Sequence, residues 1–333
     1  MSHRSQRYRT NAMCRQYGWT LTEMMIAITL GLFILLTAMG LLLSAKMGYV
    51  MQDQNAYIQE TGRYATEVVS RSVRQAGYEN WNSGTMPLQT ADNFSANVMG
   101  MDAMTLKKTS AGLDGATATD VVNGSDVLAL RFFGESTDGE VGAILNCAGL
   151  SVAAPASVQT AEQERGWSIF FVAKDSAGEP ELRCKYQSKT SWNADAIARG
   201  VESFQVLYGI DADGDGQPDQ FLNADDIDKL DNQLLLVGEN PIVRARDKNR
   251  KTAWKKVRTI KFSLLVRGSQ NARDDTLANE YNLFGNDYSN AHGYKDKGVR
   301  IREDVLPAAS RNRIRKIFTH TIQLRNDVAG NDA

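Results

Sequence analysis

The chain has 333 residues, 42% of them hydrophobic and 23% charged, which is the balance of a globular protein. Lys and Arg number 38 against 39 Asp and Glu, a formal net charge of −1, and this excludes a general nucleic-acid binder built on a basic surface. Three histidines, and no Gly-x-Ser-x-Gly elbow, His-Glu-x-x-His pair or phosphate loop, leave no support for the common enzyme classes.

Residues 1–18 are polar and basic, carrying Arg4, Arg7, Arg9 and Arg15 and no acid. They read as an unstructured leader. The uncharged run Met24 to Leu43 follows. As a helix at roughly 1.5 Å per residue it is about 30 Å long, enough to cross a bilayer core. The helix is expected to start near Thr20. Glu23 stands at the entrance of the run, where burial of a carboxylate is costly unless it is partnered. The leader arginines orient the C-terminal bulk away from the cytoplasm.

Three readings of this stretch compete. A cleaved secretory signal has a shorter apolar core, about 7–15 residues, and a small-x-small cleavage site. Here Leu43-Ser44-Ala45 precedes Lys46, with a bulky Leu at the first of those positions. A plain single-pass anchor accounts for the length. Neither explains Gly18 and Glu23, five residues apart, just ahead of the apolar core.

Beyond Gln52 the helix turns amphipathic. Tyr57, Tyr64, Ala65, Val68 and Ala76 recur at helical spacing, with Arg63, Glu67, Arg71 and Arg74 as the polar complement. Gly77 is a plausible stop. Residues 78–126 are rich in Asn, Ser, Thr and Gly and read as an irregular connection. From Val127 strands dominate: 127–133, 167–174, 181–187, 201–210, 258–267 and 316–324. The runs around Gly178-Glu179-Pro180 form a hairpin. Alternation such as Phe318, His320, Ile322 and Leu324 against Thr319, Thr321 and Gln323 implies antiparallel sheets with one buried and one wet face. His320 thus reads as a core or half-buried histidine. The expected class is α+β, a long N-terminal helix packed on an antiparallel β domain over 127–327, with a frayed tail at 328–333.

Residues Asp211, Asp213, Asp215 and Asp219 occupy positions 1, 3, 5 and 9 of a loop with Gly216 at position 6 and Gln217 at position 7. That is the oxygen-ligand spacing of a calcium loop. Position 12 is Leu222 rather than Glu, so a further ligand would come from Asp225, Asp226, another loop or water. An Asp- and Gly-rich turn between strands is the plainer alternative. Arg244 to Arg258 and Arg311 to Lys316 are basic runs, read as solvated loops with no stacking platform for nucleic acid. Cys14 lies in the leader. Cys147 and Cys184 remain, an even pair that forms a disulfide in an oxidising compartment or else two free thiols.

The N-terminal features together resemble type IV prepilins and pseudopilins. These have a basic leader ending in Gly, a Glu as fifth mature residue and an uninterrupted apolar helix. The resemblance implies a cut after Gly18 by a prepilin peptidase and N-methylation of Trp19, where the family usually has Phe. It also implies that Glu23 pairs with the N-terminal amine of a neighbouring subunit. Gly200-Val-Glu-Ser-Phe204, Tyr208-Gly209, Trp254 before Leu264-Leu-Val-Arg267, and Leu324-Arg325-Asn326 resemble the PilW family of minor pilins. On this resemblance residues 19–77 are the pilin stalk helix. The chain would sit singly in the inner membrane with a periplasmic domain, then enter a pilus with other minor pilins and the major pilin. Two rivals remain: a J-type pseudopilin of type II secretion, and a membrane-tethered calcium-dependent adhesin.

Overall fold

The computed structural model describes residues 18–79, 93–135, 142, 144–157, 159–188, 191–273 and 277–326. The leader before Gly18, with Cys14, and the 328–333 tail lie outside these. Two compact units divide at Val50/Met51. The first holds the apolar half of helix α1, Leu21–Gln75. Its aliphatic side chains are all exposed, Leu41 by 73% and Leu42 by 70%, so this half is complete only in an apolar surrounding.

In the second unit, residues 51–75 of α1 bury Ile58, Ala65, Val69 and Val73. The expected stripe is correct for Ala65, Val68 and Ala76, but Tyr64 is 56% exposed. The face is rotated because Gly62 makes the closest approach. A Cβ there would lie 2.2 Å from the ring of Phe318, so only glycine lets the helix settle on the sheet. The helix ends at Gln75, and Gly77 takes φ +71° while its N–H reaches Arg131 O at 2.8 Å. This is the left-handed terminator expected of glycine.

One antiparallel sheet runs β1 (Val98–Met101), β2 (Val127–Phe132), β3 (Gly166–Lys174), β4 (Pro180–Gln187) and β5 (Trp192–Arg199) in sequential order. A short helix, α2 (Ala161–Glu164), precedes β3. The second sheet takes β6 (Val201–Ile210), β7 (Gln220–Leu222), β8 (Val257–Asn271) and β11 (Arg313–Gln323) in the order β11-β8-β6-β7. Helices α3 (Ala224–Asp231) and α4 (Pro241–Lys251) fill the connection from β7 to β8. A small ribbon pairs β9 (Glu280–Asn282) with β10 (Arg300–Arg302), flanking α5 (Asn286–His292). The main core gathers α1 with inward residues of both large sheets, among them Leu128, Phe170, Phe204 and Phe262.

Two expectations are corrected here. Strands β2 and β6 are buried along their whole length, and β8 over most of it, rather than on one face. The second face of β8 is covered by Leu283, Ile301 and Leu306 from the 277–306 segment, and that of β2 and β3 by Leu106 and its neighbours. His320 is exposed, not core. It lies on β11, the sheet edge, with its ring 6.2 Å from that of Phe262.

The second basic run is divided: Arg311 and Lys316 are exposed, while Arg313 and Arg315 turn inward. Arg315 is buried and donates to Glu202 at 2.6 Å and Glu303 at 3.3 Å. Arg267 joins Glu202 at 2.9 Å and also contacts Glu179, to which Arg313 donates at 2.9 Å. This network ties the β3–β4 turn to β6, β8 and β11. Removing one member would leave a buried charge uncompensated, at a cost of about 3–5 kcal/mol. Burial pushes the Glu303 carboxyl up, but the Asn279 N–H, the Tyr281 hydroxyl, Arg273 and Arg315 outweigh it and hold the group below its ordinary value. Glu179 is likewise lowered, by Arg313 and Arg267 against its burial.

Asp102, Asp126 and Asp296 form the opposite case. Burial pushes Asp102 up to about 7 although it accepts the Asp225 and Ala224 N–H groups that begin α3. Burial also raises Asp126, with Asp102 and Asp296 adding to it, and Asp296, with Asp226 adding and Tyr288, Asn223 and His292 opposing. The lowered glutamates contribute stability that is present above 4.5 and lost as pH falls through their folded values. The raised aspartates lose stability as pH rises from 3.8 toward about 7. A melting-temperature profile against pH is therefore expected to peak in mildly acidic solution and to fall on both sides. A profile flat from pH 4 to 8 would show that these groups do not govern stability.

Candidate functional site

Four places carry candidate functional residues, and each is built differently. At the first, Thr20 precedes α1 and Glu23 is its third helical residue. The Glu23 Oε2 accepts both the Thr20 N–H at 2.9 Å and the Thr20 hydroxyl at 2.9 Å, while the Glu23 N–H donates to Thr20 Oγ1 at 3.3 Å. This is a capping box, in which two otherwise unpaired helix-end donors are satisfied reciprocally. The Thr-x-x-Glu pattern was present in the sequence, but its reading there rested on charge pairing alone. Gly18 and Trp19 are exposed ahead of the helix, Trp19 by 77%, and no Cβ at Gly18 would meet an atom within 4 Å. Among the described residues one helix, α1, is long and apolar enough to cross a membrane.

The second place is the acidic turn after β6. Asp211 is buried beside the sheet, while Asp213 and Asp215 are exposed, and one carboxylate oxygen of each lies within 4.8 Å of the others. The turn wraps because Gly214 and Gly216 take φ +82° and +83°. Asp211 receives the Gly214 N–H at 2.6 Å and the Gly216 N–H at 3.0 Å, and Arg258 reaches it at 3.4 Å. Asp213 and Asp215 each receive one backbone N–H, from Asp215 and Gln217. Three hard oxygens converging on one point can chelate a divalent cation. Asp219 turns instead to the Ala212 N–H. Asp226 is drawn to Lys229 at 2.6 Å. After the turn comes β7 and then α3, so the acids sit on a sheet edge rather than between two helices.

Cys147 and Cys184 form a disulfide with Cα atoms 5.9 Å apart, joining the 142–150 loop to the middle of β4. Both are buried in the main core. The first basic run is the fourth place. It is not a loop but the exposed helix α4, begun by Asn240, whose side chain accepts the Val243 N–H, and by Pro241. Trp254 follows it, buried, with its indole N–H on Asp228 at 2.9 Å.

Residues 169–326 match the PilW family, described as Type IV Pilus-assembly protein W. The match runs from β3 through β11 and so covers the whole second sheet, the acidic turn and Cys184. Over this stretch the chain is similar to type IV pilus-associated proteins. A solved type IV-like pilin from Thermus thermophilus aligns with 81% of this chain and 97% of its own, at 13% identity and a TM-score of 0.35. No curated protein matches. The PilW match and the helix-on-sheet fold are those of a structural, non-enzymatic protein.

The disulfide closes a loop of about 36 residues, for which chain entropy implies roughly 4 kcal/mol of stabilisation. The Cys147→Ser, Cys184→Ser double variant is expected to unfold at least several degrees lower than the parent, with the parent falling to match it under reductant. Equal melting temperatures with and without reductant would exclude a structural role for the bond.

Proposed function

We propose that this protein is a minor pilin of the PilW kind. It waits in the inner membrane through residues 24–43 with its β domain in the periplasm, and after leader removal joins other minor pilins in a complex that primes pilus assembly and stays at the tip. The observation that carries this reading is the coincidence, in one chain, of Gly18 and Glu23 heading an exposed apolar helix with a PilW match over residues 169–326. On this reading a prepilin peptidase cuts after Gly18 and Trp19 becomes the N-methylated terminus. The apolar faces that are exposed in the single chain then exchange lipid for neighbouring helices. The Glu23 carboxylate meets the terminal amine of the next subunit, so two charges are compensated together in the filament interior. The acidic turn holds Ca²⁺ through Asp211, Asp213 and Asp215, with Gln217 and Asp219 able to join if the turn tightens. There the ion orders the junction between β6 and β7 and takes no part in chemistry.

Glu23 separates two roles cleanly. Glu23→Gln keeps the capping box, because Gln serves equally at that position, but it removes the charge. Both Glu23→Gln and Glu23→Ala are expected to lose the leader normally and to enter filaments at roughly a tenth of the parent level or less, on the scale of a lost buried ion pair. The N-terminal mass checks the cut and filament shearing checks incorporation. Normal assembly of Glu23→Gln would reduce the residue to a helix cap. A chain that keeps residues 1–18 whether or not the peptidase is present would remove the pilin reading itself.

For the turn, Ca²⁺ at about a hundred times its dissociation constant contributes about 2.7 kcal/mol, a rise of several degrees in melting temperature for a domain this size. Asp213→Asn with Asp215→Asn, both exposed, should abolish the response and leave the calcium-free value intact. A chelator that changes nothing in the parent protein would discard the ion.

A further inference from the structure

Strand β11 is an open sheet edge. It pairs with β8 and, among the described residues, with no other strand. Its register on β8 is regular from Arg315 to Gln323, and the one irregularity lies at its start, between Arg313 and Arg315. Residues 317–323 read Ile-Phe-Thr-His-Thr-Ile-Gln and contain no Pro, Lys or acid. Pro, Lys, inward charges and bulges are the devices that keep an edge from accepting another strand. The other outer strands of the two large sheets are less suited. β1 has four residues and β7 three, and the pairing of β5 on β4 breaks register between Leu182 and Arg183.

The same edge faces a groove. Arg74, in the last turn of α1, and the consecutive residues 320–325 line a space of about 540 Å³. Six residues of strand extend roughly 20 Å, so the space follows the strand. His320 and Thr321 are both exposed, although successive side chains leave a strand on opposite faces. The edge is therefore open on both sides at that point. Its charge is of one sign. Arg74 and Arg325 line the groove, Lys316 stands exposed further along the strand, and residues 311–325 contain no acid. Glu67 reaches Arg74 at 3.8 Å but is itself 71% exposed, a solvated contact of little strength. The donors and acceptors along a strand edge are matched in spacing by another extended chain. A second copy pairing β11 with β11 would set Lys316, Arg325 and Arg74 among their own kind, and like charges across a strand pair are destabilising. We propose that β11 and the Arg74 groove take up an extended segment of a different protein, one with carboxylates at alternate positions, as an added strand of the second sheet. Main-chain bonds to β11 supply the affinity and the cations select the sequence. None of these observations depends on the pilus reading.

The test uses the full-length protein in detergent micelles and a fluorescein-labelled peptide of alternating Glu and Val, with empty micelles as background. The peptide should bind by fluorescence anisotropy. The same peptide with every amide N-methylated keeps its charge but cannot donate to a strand, and should bind at least about tenfold more weakly. Arg74→Glu with Arg325→Glu keeps the edge and reverses the charge, and should also cost at least about tenfold in affinity at an unchanged melting temperature. A photocrosslinking residue in place of Thr321 should capture the peptide, and one in place of Ala196, exposed on the β5 edge, should not. The peptide comparison uses the parent protein, so it decides the matter whether or not the double variant folds. Absence of binding, equal binding of the N-methylated peptide, or full affinity in the double variant would overturn the proposal. So would capture at position 196 in place of 321, or a crosslink from position 321 to a second copy of this chain when no peptide is present.

Discussion

The packing of residues 54–75 of α1 into one core with the two large sheets is the constraint on which the domain depends. Ile58, Ala65, Val69 and Val73 are essentially inaccessible to solvent, and they share one core with residues of β2, β3, β6 and β8. The helix in turn approaches closely only because Gly62 concedes its side-chain volume to Phe318. The half before residue 51 has the converse problem. It buries nothing, and its aliphatic surface is as unfavourable in water as the other half is favourable in the core. One secondary-structure element thus joins a buried half to a half that exposes its aliphatic surface, and the capping box at Thr20 and Glu23 satisfies donors at its start.

Charge is distributed by a different rule inside the domain. Glu202, Glu303, Arg267 and Arg315 are buried but mutually satisfied, and they join segments up to 113 residues apart in sequence. Among the described residues Asp102 and Asp126 show no such ion pair, and they are held instead by the backbone N–H groups of Ala224 and Asp225 at the start of α3 and of Ala103 and Val206. The first arrangement suits an ionised group and the second tolerates a proton.

Much of this was legible in the sequence, and what was not has identifiable causes. The long helix, its glycine stop and strands β2, β3, β4, β6, β8 and β11 announce themselves because each carries a sustained period or an apolar run. Strand β1 is four residues and β7, β9 and β10 are three each, too short for any period. Strand β5, Trp192–Arg199, is polar and half-exposed and gives no apolar run. Arg313 and Arg315 looked like a surface patch because their partners, Glu179, Glu202 and Glu303, lie elsewhere in the chain. His320 shares an alternating pattern with Phe318 and Ile322, yet an edge strand need not be covered along its whole length. Among the site residues, the acidic spacing located the cluster. It could not show that Asp219 turns to the Ala212 N–H, since backbone N–H groups compete for the same carboxylates.

The close of the chain has a mechanical meaning. The Asn326 side chain, just past β11, donates to Arg74 O at 3.2 Å and Ala76 O at 3.3 Å, at the very end of α1. At the opposite end of the same helix segment, Gln54 Oε1 receives Ser269 Oγ at 3.2 Å and the Gln270 N–H at 3.0 Å from the tail of β8. The helix is therefore riveted to the second sheet at both ends of its buried length. A pull along its axis would load these contacts and the apolar interface between them together, in shear, instead of peeling them apart one turn at a time. A domain fastened in this way would carry tension along its helix as a rigid part.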